Sequence, residues 1–342
     1  MNIEVYTICY NESKFINLFL NYYAQFASKI IIYDNYSTDD TCDKINRFNI
    51  CPTEIIKYDT GNQIRDDIYL EIKNNCWKNS KADYVIVCDV DEILYHKDLL
   101  IFFKNTKFNV FKPMGFNMVS DFFPSEENQI INQVKTGVFD EIFSKCILFK
   151  PKELHEINFG PGCHKCYPSA KSELKLYDSI ESDRQLKLLH YKNISFQYRI
   201  ERNKSFFQRL SEYNQKNNMG FHYSWDYNTQ HEEYLKLWNN RRRVIKPNIG
   251  GKGRSVLNIK SPLLPLRKFI LKIPGIKFIG YRKYYQGVYE KKSINYLECR
   301  KYTRFLMCFI KCLLCRPIRP IREYRDYFWK IKQKMTKKEN ED

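Results

Sequence analysis

Asp89-Val90-Asp91-Glu92 follows directly on the apolar run Tyr84-Val85-Ile86-Val87-Cys88. Two carboxylates at i and i+2, with a third beside them, stand where a buried strand must break into a loop. Clustered carboxylates repel one another at neutral pH unless a cation relieves them. Hard oxygen donors of this kind suit Mg2+ or Mn2+, which bind through one or two carboxylates plus substrate phosphates. A metal held there would stabilise negative charge on a departing nucleotide diphosphate. An isolated Asp-x-Asp also reads as a solvated acidic turn, so its placement in the fold has to decide.

The elements that must position it are legible. Ile3–Tyr10 alternates and is rich in β-formers, which predicts a first strand. Asn11-Glu12-Ser13 offers a cap for a helix with Phe15, Ile16, Phe19, Leu20 and Tyr23 on one face. Lys29–Tyr33 reads as a second strand, 39–48 as a short helix, Thr53–Tyr58 as a third strand, Ile64–Asn79 as a helix and Ala82–Cys88 as a fourth strand. Strands alternating with helices at this spacing imply an α/β fold with a mainly parallel, Rossmann-like sheet flanked by helices. Ligands in open sheets of that kind sit beyond the carboxyl ends of the strands. Tyr10-Asn11-Glu12, Asp34-Asn35 and Asp89-Val90-Asp91 all occupy such ends. Further strands are expected near Val110–Lys112, Cys146–Phe149 and Leu186–Tyr191, and 196–245 reads as helical and aromatic.

Asp34-Asn35-Tyr36-Ser37-Thr38-Asp39 can be a structural loop with Asx-turns and a helix cap, and Asp34 and Asn35 can also hydrogen-bond a base or ribose. Arg65, at the start of the helix before the metal strand, could pair with phosphate or stand as an ordinary surface arginine. In Gly160-Pro161-Gly162-Cys163-His164-Lys165-Cys166 the glycines would let backbone approach a ligand, and His164 or Lys165 could meet phosphate or acceptor hydroxyls. Cys163-x-x-Cys166 has no second pair at zinc-site spacing nearby.

With Tyr10-Asn11-Glu12 after strand one, Asp34-Asn35-Tyr36-Ser37-Thr38-Asp39 after strand two, and Asp89-Val90-Asp91-Glu92, the chain resembles the family 2 glycosyltransferases of the GT-A fold over roughly residues 1–200. It is closest to the branch whose metal motif is followed by Glu. The resemblance implies transfer of a sugar from a nucleotide-sugar donor to an acceptor hydroxyl, usually with inversion. It implies that Tyr10, Glu12, Asp34 and Asn35 shape the nucleotide pocket and that Asp91, helped by Asp89, bridges through the metal to the diphosphate. Many relatives carry paired acids after strand two, whereas the second residue here is Asn35. A histidine in the apolar run Leu188-Leu189-His190-Tyr191 reads as a hydrogen-bonded core residue, but the resemblance makes His190 the candidate third metal ligand. An inverting transfer needs a general base, and Asp121 and Glu156 are the candidates.

Composition sets the rest. With 43% hydrophobic and 16% aromatic residues the 342-residue chain is globular. Its net charge of +18 is uneven: residues 1–240 hold 29 Lys and Arg against 32 Asp and Glu, while 241–342 hold 28 against 7. We therefore divide the chain into a GT-A-like catalytic domain, 1–240, and a basic, helical C-terminal region, 241–342. In that region Arg300, Arg304 and Lys311 would line one helical stripe among Phe305, Leu306, Phe309, Ile310, Leu313 and Leu314, which resembles a helix lying in a membrane interface and also reads as a packed helix with a solvated basic face. Interleaved aliphatics and the absence of a nucleic-acid-binding motif argue against nucleic acid as the partner. The run from Phe305 to Cys315 is about half the ~20 residues a membrane span requires. Scattered cysteines and sequons inside the motifs, at Asn11 and Asn35, point to a cytoplasmic enzyme on the inner face of a membrane. A glycan or lipid-linked acceptor, as in lipopolysaccharide or capsule synthesis, fits that location. The rival readings are a metal-dependent nucleotidyltransferase and a basic scaffold with a degenerate catalytic domain.

Overall fold

The structure, a computed structural model, describes residues 1–245. The basic stretches of the C-terminal region, with the membrane-interface helix expected there, lie outside the described residues. No helix among the described residues is long and apolar enough to cross a membrane.

The first four strands are β1 (Ile3–Cys9), β2 (Lys29–Asp34), β3 (Thr53–Lys57) and β4 (Tyr84–Val87), and between them run α1 (Ile16–Tyr23), α2 (Thr41–Arg47) and α3 (Asp66–Asn75). β4 is buried at every position and β1 at five of seven, as strands covered by helices on both faces must be. The chain continues through β5 (Glu92–Tyr95), α4 (Leu99–Lys104), β6 (Val110–Lys112), β7 (Met114–Ser120), α5 (Ile130–Gln133), β8 (Thr136–Phe139), β9 (Leu148–Phe149), β10 (Leu154–Glu156), β11 (Ser169–Ala170), β12 (Leu176–Asp178) and β13 (Lys187–Ile194). It then passes through α6 (Phe196–Gln208), α7 (Glu212–Lys216), α8 (Tyr227–Asn240) and β14 (Arg242–Arg243).

The main sheet has the order β12-β6-β9-β4-β1-β2-β3, with β3, β2, β1 and β4 parallel and β9 antiparallel to both β4 and β6. The connections run outward from β1 to β2 and β3, then return to β4 on its other side. This β1/β4 reversal is the switch point where an open α/β sheet leaves a crevice. Asp89 to Asp91 and Tyr10 to Glu12 lie at its two lips. A second sheet, β14-β8-β7-β13-β5, includes β5, whose first residue, Glu92, closes the acidic motif.

Six of the eight residues of α1 are buried, and two of its tyrosines reach β5. Tyr23 Oη donates to the Glu92 carbonyl at 3.0 Å and accepts from Leu94 N–H at 3.0 Å, while Tyr22 Oη donates to the Leu94 carbonyl at 2.7 Å. The helix thus clamps the strand that follows the motif. Asn11 does not cap α1 as its sequence suggests. With φ of +51° its side chain turns to the β2 loop, where Oδ1 accepts from Thr38 N–H at 2.7 Å. The helix expected over Ile64–Asn79 is shorter, because Ile64 N–H is taken by the Arg209 carbonyl at 2.7 Å.

Candidate active site

The acidic motif folds on itself: Asp89 N–H donates to Glu92 Oε2 at 3.1 Å and Glu92 N–H to the Asp89 carbonyl at 3.0 Å. Asp91 and Glu92 are each 1% exposed, so this is no solvated turn. Burial of anions demands counter-charge. Lys73 on α3 meets Asp89 Oδ1 at 2.5 Å, and Lys145, before β9, meets Glu92 Oε1 at 2.6 Å and Asp89 Oδ2 at 3.6 Å. Arg202 on α6 bridges Asp91 Oδ2 at 2.7 Å and Glu12 Oε1 at 3.3 Å.

Strand register brings His190 to the motif. β13 runs antiparallel to β5 with His190 opposite Glu92, and Tyr191 N–H donates to the Asp91 carbonyl at 2.8 Å. His190 Nε2 then lies 3.2 Å from Asp91 Oδ2. Its other nitrogen, Nδ1, is buried without a hydrogen-bond partner. β13 ends at Ser195, whose φ of +57° makes the sharp turn into α6, and whose hydroxyl accepts from Tyr198 N–H. That turn sends α6 back over the motif and delivers Arg202.

Electrostatics follow from these contacts. Burial pushes the Asp91 carboxyl up, but Arg202 and His190 outweigh it and hold the group well below the usual carboxylate range. Asp89 is likewise lowered, with Lys73 and Lys145 overcoming burial. Glu12 goes the other way: burial, opposed by Arg202 and reinforced by Asp91, pushes it up to about 7. Lys192, two residues beyond His190, is pushed down to about 8 by burial against the partial attraction of Asp91.

The nucleotide-side residues gather at the ends of β1, β2 and β3, but several are committed to protein partners. Asp34, 0% exposed, accepts from Ser37 N–H at 2.9 Å and Lys57 Nζ at 2.6 Å. Asn35 donates to Thr60 Oγ1 at 2.7 Å and accepts from Thr60 N–H at 3.2 Å. Both side chains therefore tie the loops that form the crevice. Tyr10 lies under Arg209, whose guanidinium carbon is 3.3 Å from the ring centroid. Arg65 is paired with Asp67 at 2.6 Å.

On the other flank, Phe143 packs against His190 at 4.7 Å and His164 at 5.6 Å between ring centroids, and Lys192 Nζ lies 4.4 Å from its centroid. Gly115 makes this possible, since a Cβ there would fall 2.1 Å from the Phe143 carbonyl carbon. His164 Nδ1 is 2.8 Å from the Ile142 carbonyl, which holds the 160–166 loop beside the site, with Gly162 at φ +61° making its turn. Lys165 is exposed. Asp121 is exposed just past β7, and Glu156 is paired with Lys78 at 2.6 Å; neither bonds to Asp89, Asp91 or His190. Cys163 is a buried free thiol beside the site.

Sequence reasoning missed Lys73, Lys145, Lys192, Arg199 and Arg202. Lys145 did carry a signal, since it directly precedes the apolar run Cys146-Ile147-Leu148-Phe149, where a charge must find a partner. Among the described residues no group of three or more His, Cys, Asp or Glu side chains is arranged to hold a metal. The donors that do converge are Asp91 and His190. Both contacts to Asp91 fall on Oδ2, which leaves Oδ1 to a ligand. One carboxylate and one imidazole, completed by phosphate and water, fit Mg2+ or Mn2+. Both Asp89 oxygens are taken by lysines.

No protein-family model matches this chain, and no curated protein matches it. Among solved structures it is similar to HddC from Yersinia pseudotuberculosis, at 15% identity and a TM-score of 0.24 over 35% of this chain and 60% of that one. It is also similar to glucosyl-3-phosphoglycerate synthase from Mycobacterium tuberculosis in complex with Mn2+, uridine-diphosphate and phosphoglyceric acid, at 16% identity and a TM-score of 0.24 over 34% and 43%. A third is 4-diphosphocytidyl-2C-methyl-D-erythritolsynthase from Anaerococcus prevotii, at 11% identity and a TM-score of 0.27 over 44% and 72%. The chain spans less than two thirds of the length of the first two. At these scores the likenesses are partial, and the functional reading rests on the site itself.

Proposed function

We propose that the protein transfers a sugar from a nucleoside diphosphate sugar to an acceptor hydroxyl with a divalent cation, by direct displacement with inversion. The observation that carries this reading is the meeting of Asp91 and His190 at 3.2 Å, at the switch point of a mainly parallel sheet. Bound there, Mn2+ or Mg2+ would neutralise charge on the diphosphate as it leaves. Asp91 and His190 would hold the ion, and Lys73 and Lys145 would keep Asp89 and Glu92 in place around it. The stacked pair of Tyr10 and Arg209 would flank the nucleotide, in a crevice whose walls are tied by Asp34 and Asn35. His164 and Lys165 would face the acceptor. Of the two candidate bases, Asp121 has no ion pair among the described residues and follows the strand beside the β13–α6 turn, whereas Glu156 is held by Lys78.

We place the reaction on the cytoplasmic face of a membrane, in cell-surface glycan synthesis, with residues 241–342 as the membrane-associating region and no nucleic-acid partner. The test is a panel of nucleotide sugars assayed for Mn2+-dependent turnover by the full-length protein, with Asp91→Ala as control. Turnover that needs both Mn2+ and Asp91 is expected. Equal turnover by Asp91→Ala refutes the metal role, and a sugar phosphate product points instead to nucleotidyl transfer. Flotation with anionic liposomes, with and without residues 260–342, tests the membrane role.

A further inference from the structure

Two cations near the acidic motif, Lys192 and Arg199, form no ion pair among the described residues. Lys192 packs its ammonium on the Phe143 ring and makes no ion pair among the described residues. Its charged neighbours are Lys145, Arg199 and Arg202, opposed by Asp91, a carboxylate already shared by Arg202 and His190. Arg199 is 9% exposed and its Nη1 is buried without a hydrogen-bond partner. Glu233 on α8 is the opposing charge nearest in kind, but it is in contact with Lys236. Arg202 Nε is also buried without a partner. His222, from the turn Phe221–Ser224, is partly buried, and the charges of Lys192, Arg199 and Arg202 act on it to keep its ring neutral. A fold that crowds unpaired cations around buried donors is incomplete without an anion.

The place of this cluster identifies the anion's owner. Arg199, Arg202 and Arg209 fall on one face of α6 and its C-cap, and the 1.5 Å rise per residue puts the first and last roughly 15 Å apart. Arg209 ends that stripe on Tyr10, at the nucleotide side, and Arg202 marks Asp91 in the middle. Arg199 therefore lies on the far side of Arg202 from the nucleotide end, and Lys192, on β13 two residues past His190, has Arg199 among its charged neighbours. Arg, Lys and His together suit a compact oxyanion with several acceptor oxygens.

We propose that Lys192 and Arg199, with Arg202 Nε and His222 beside them, form a phosphate subsite for the sugar acceptor. The acceptor of this enzyme is then a phosphate-bearing molecule, anchored beside the reacting centre by its phosphate. The assignment to an acceptor rests on the glycosyl-transfer reading; the subsite itself does not.

The test is calorimetric titration of the full-length protein with inorganic phosphate and, separately, with nucleoside diphosphates. The variants are Lys192→Met, Arg199→Met and Lys192→Arg. Loss of one charged hydrogen bond predicts about a tenfold or greater fall in phosphate affinity in both Met variants, with Lys192→Arg close to wild type. Nucleoside diphosphate affinity should change less than about threefold, a difference under 1 kcal/mol. Each Met variant should melt at or above the wild-type temperature without ligand, since it removes an unpaired cation. Unchanged phosphate affinity overturns the subsite, and parallel loss of nucleoside diphosphate binding assigns these cations to the donor instead. Competition with phosphate by a nucleotide uronic acid, but not by a neutral nucleotide sugar, also assigns the anion to the donor. Wild-type protein that binds phosphate through these residues but no nucleoside diphosphate overturns the glycosyl-transfer reading and leaves the subsite standing.

Discussion

Arg202→Met tests the charge balance of the site most directly. The substitution keeps the bulk of the side chain but removes the guanidinium that touches both Asp91 and Glu12, at 2.7 and 3.3 Å. Breaking a buried ion pair by removing one partner costs about 3–5 kcal/mol. Two features place this case at the lower end. His190 remains 3.2 Å from Asp91, and Glu12, already pushed up to about 7, can take a proton cheaply. We expect a loss of about 3 kcal/mol, which for a domain of this size lowers Tm by about 6–12 °C.

The pH dependence has a definite sign. A carboxyl raised in the folded state contributes stability that is present below its unfolded pKa and lost as pH rises through the folded value. Without Arg202 the Glu12 carboxyl rises further, so the variant should fall further behind wild type at pH 8 than at pH 6. The double variant with Glu12→Gln should recover about 1 kcal/mol or more relative to the sum of the single changes, because the two groups share one contact. Mn2+ should raise Tm more in Arg202→Met than in wild type, since it would bring positive charge back to Asp91. Differential scanning calorimetry reads all three arms. A Tm drop below about 2 °C, with the double variant strictly additive, refutes the claim that Arg202 neutralises this cluster.

Gly115→Ala would drive a Cβ to 2.1 Å from the Phe143 backbone carbonyl carbon, which cannot swing away as a side chain can; urea unfolding should show a loss of about 1–3 kcal/mol or more. Burial, with Lys192, Arg199 and Arg202, pushes His222 down to about 4. The unfolded chain therefore binds the extra proton between about pH 6.5 and 4, and stability present above that window is lost as pH falls through it. His222→Gln should flatten that part of the stability curve by no more than about 3 kcal/mol, and an unchanged slope counts against the cationic setting of this ring. Lys57→Met leaves fully buried Asp34 with Ser37 and Cys9 as its remaining donors. It should cost about 1.5–3 kcal/mol in chemical denaturation, and a change below about 0.5 kcal/mol refutes the ion pair as the anchor of that loop.

The carboxylates of the site were legible in the sequence and their counter-ions were not, and the reason is physical. Strands covered on both faces leave long apolar runs, so Tyr84–Val87 announces both its own end and the acids just past it. The same logic placed Tyr10-Asn11-Glu12 and Asp34-Asn35 on one edge. The partners of those acids come from the faces of α3 and α6, from the turn at Lys145 and from His190 on the second sheet; Lys73–Asp89, Arg202–Asp91 and Arg202–Glu12 are 16, 111 and 190 residues apart. No periodicity marks such a pairing, and β5 escaped notice because four residues show a strand only once β13 pairs with them. Counting charge now gives the site a direction. Glu12, Asp89, Asp91 and Glu92 are met by Lys73, Lys145 and Arg202, and the raised Glu12 carboxyl brings that group close to balance. A divalent ion and a donor diphosphate would add charges that largely cancel. Lys192 and Arg199 remain outside that balance, and a second anion, distinct from the donor, is what would bring them into it.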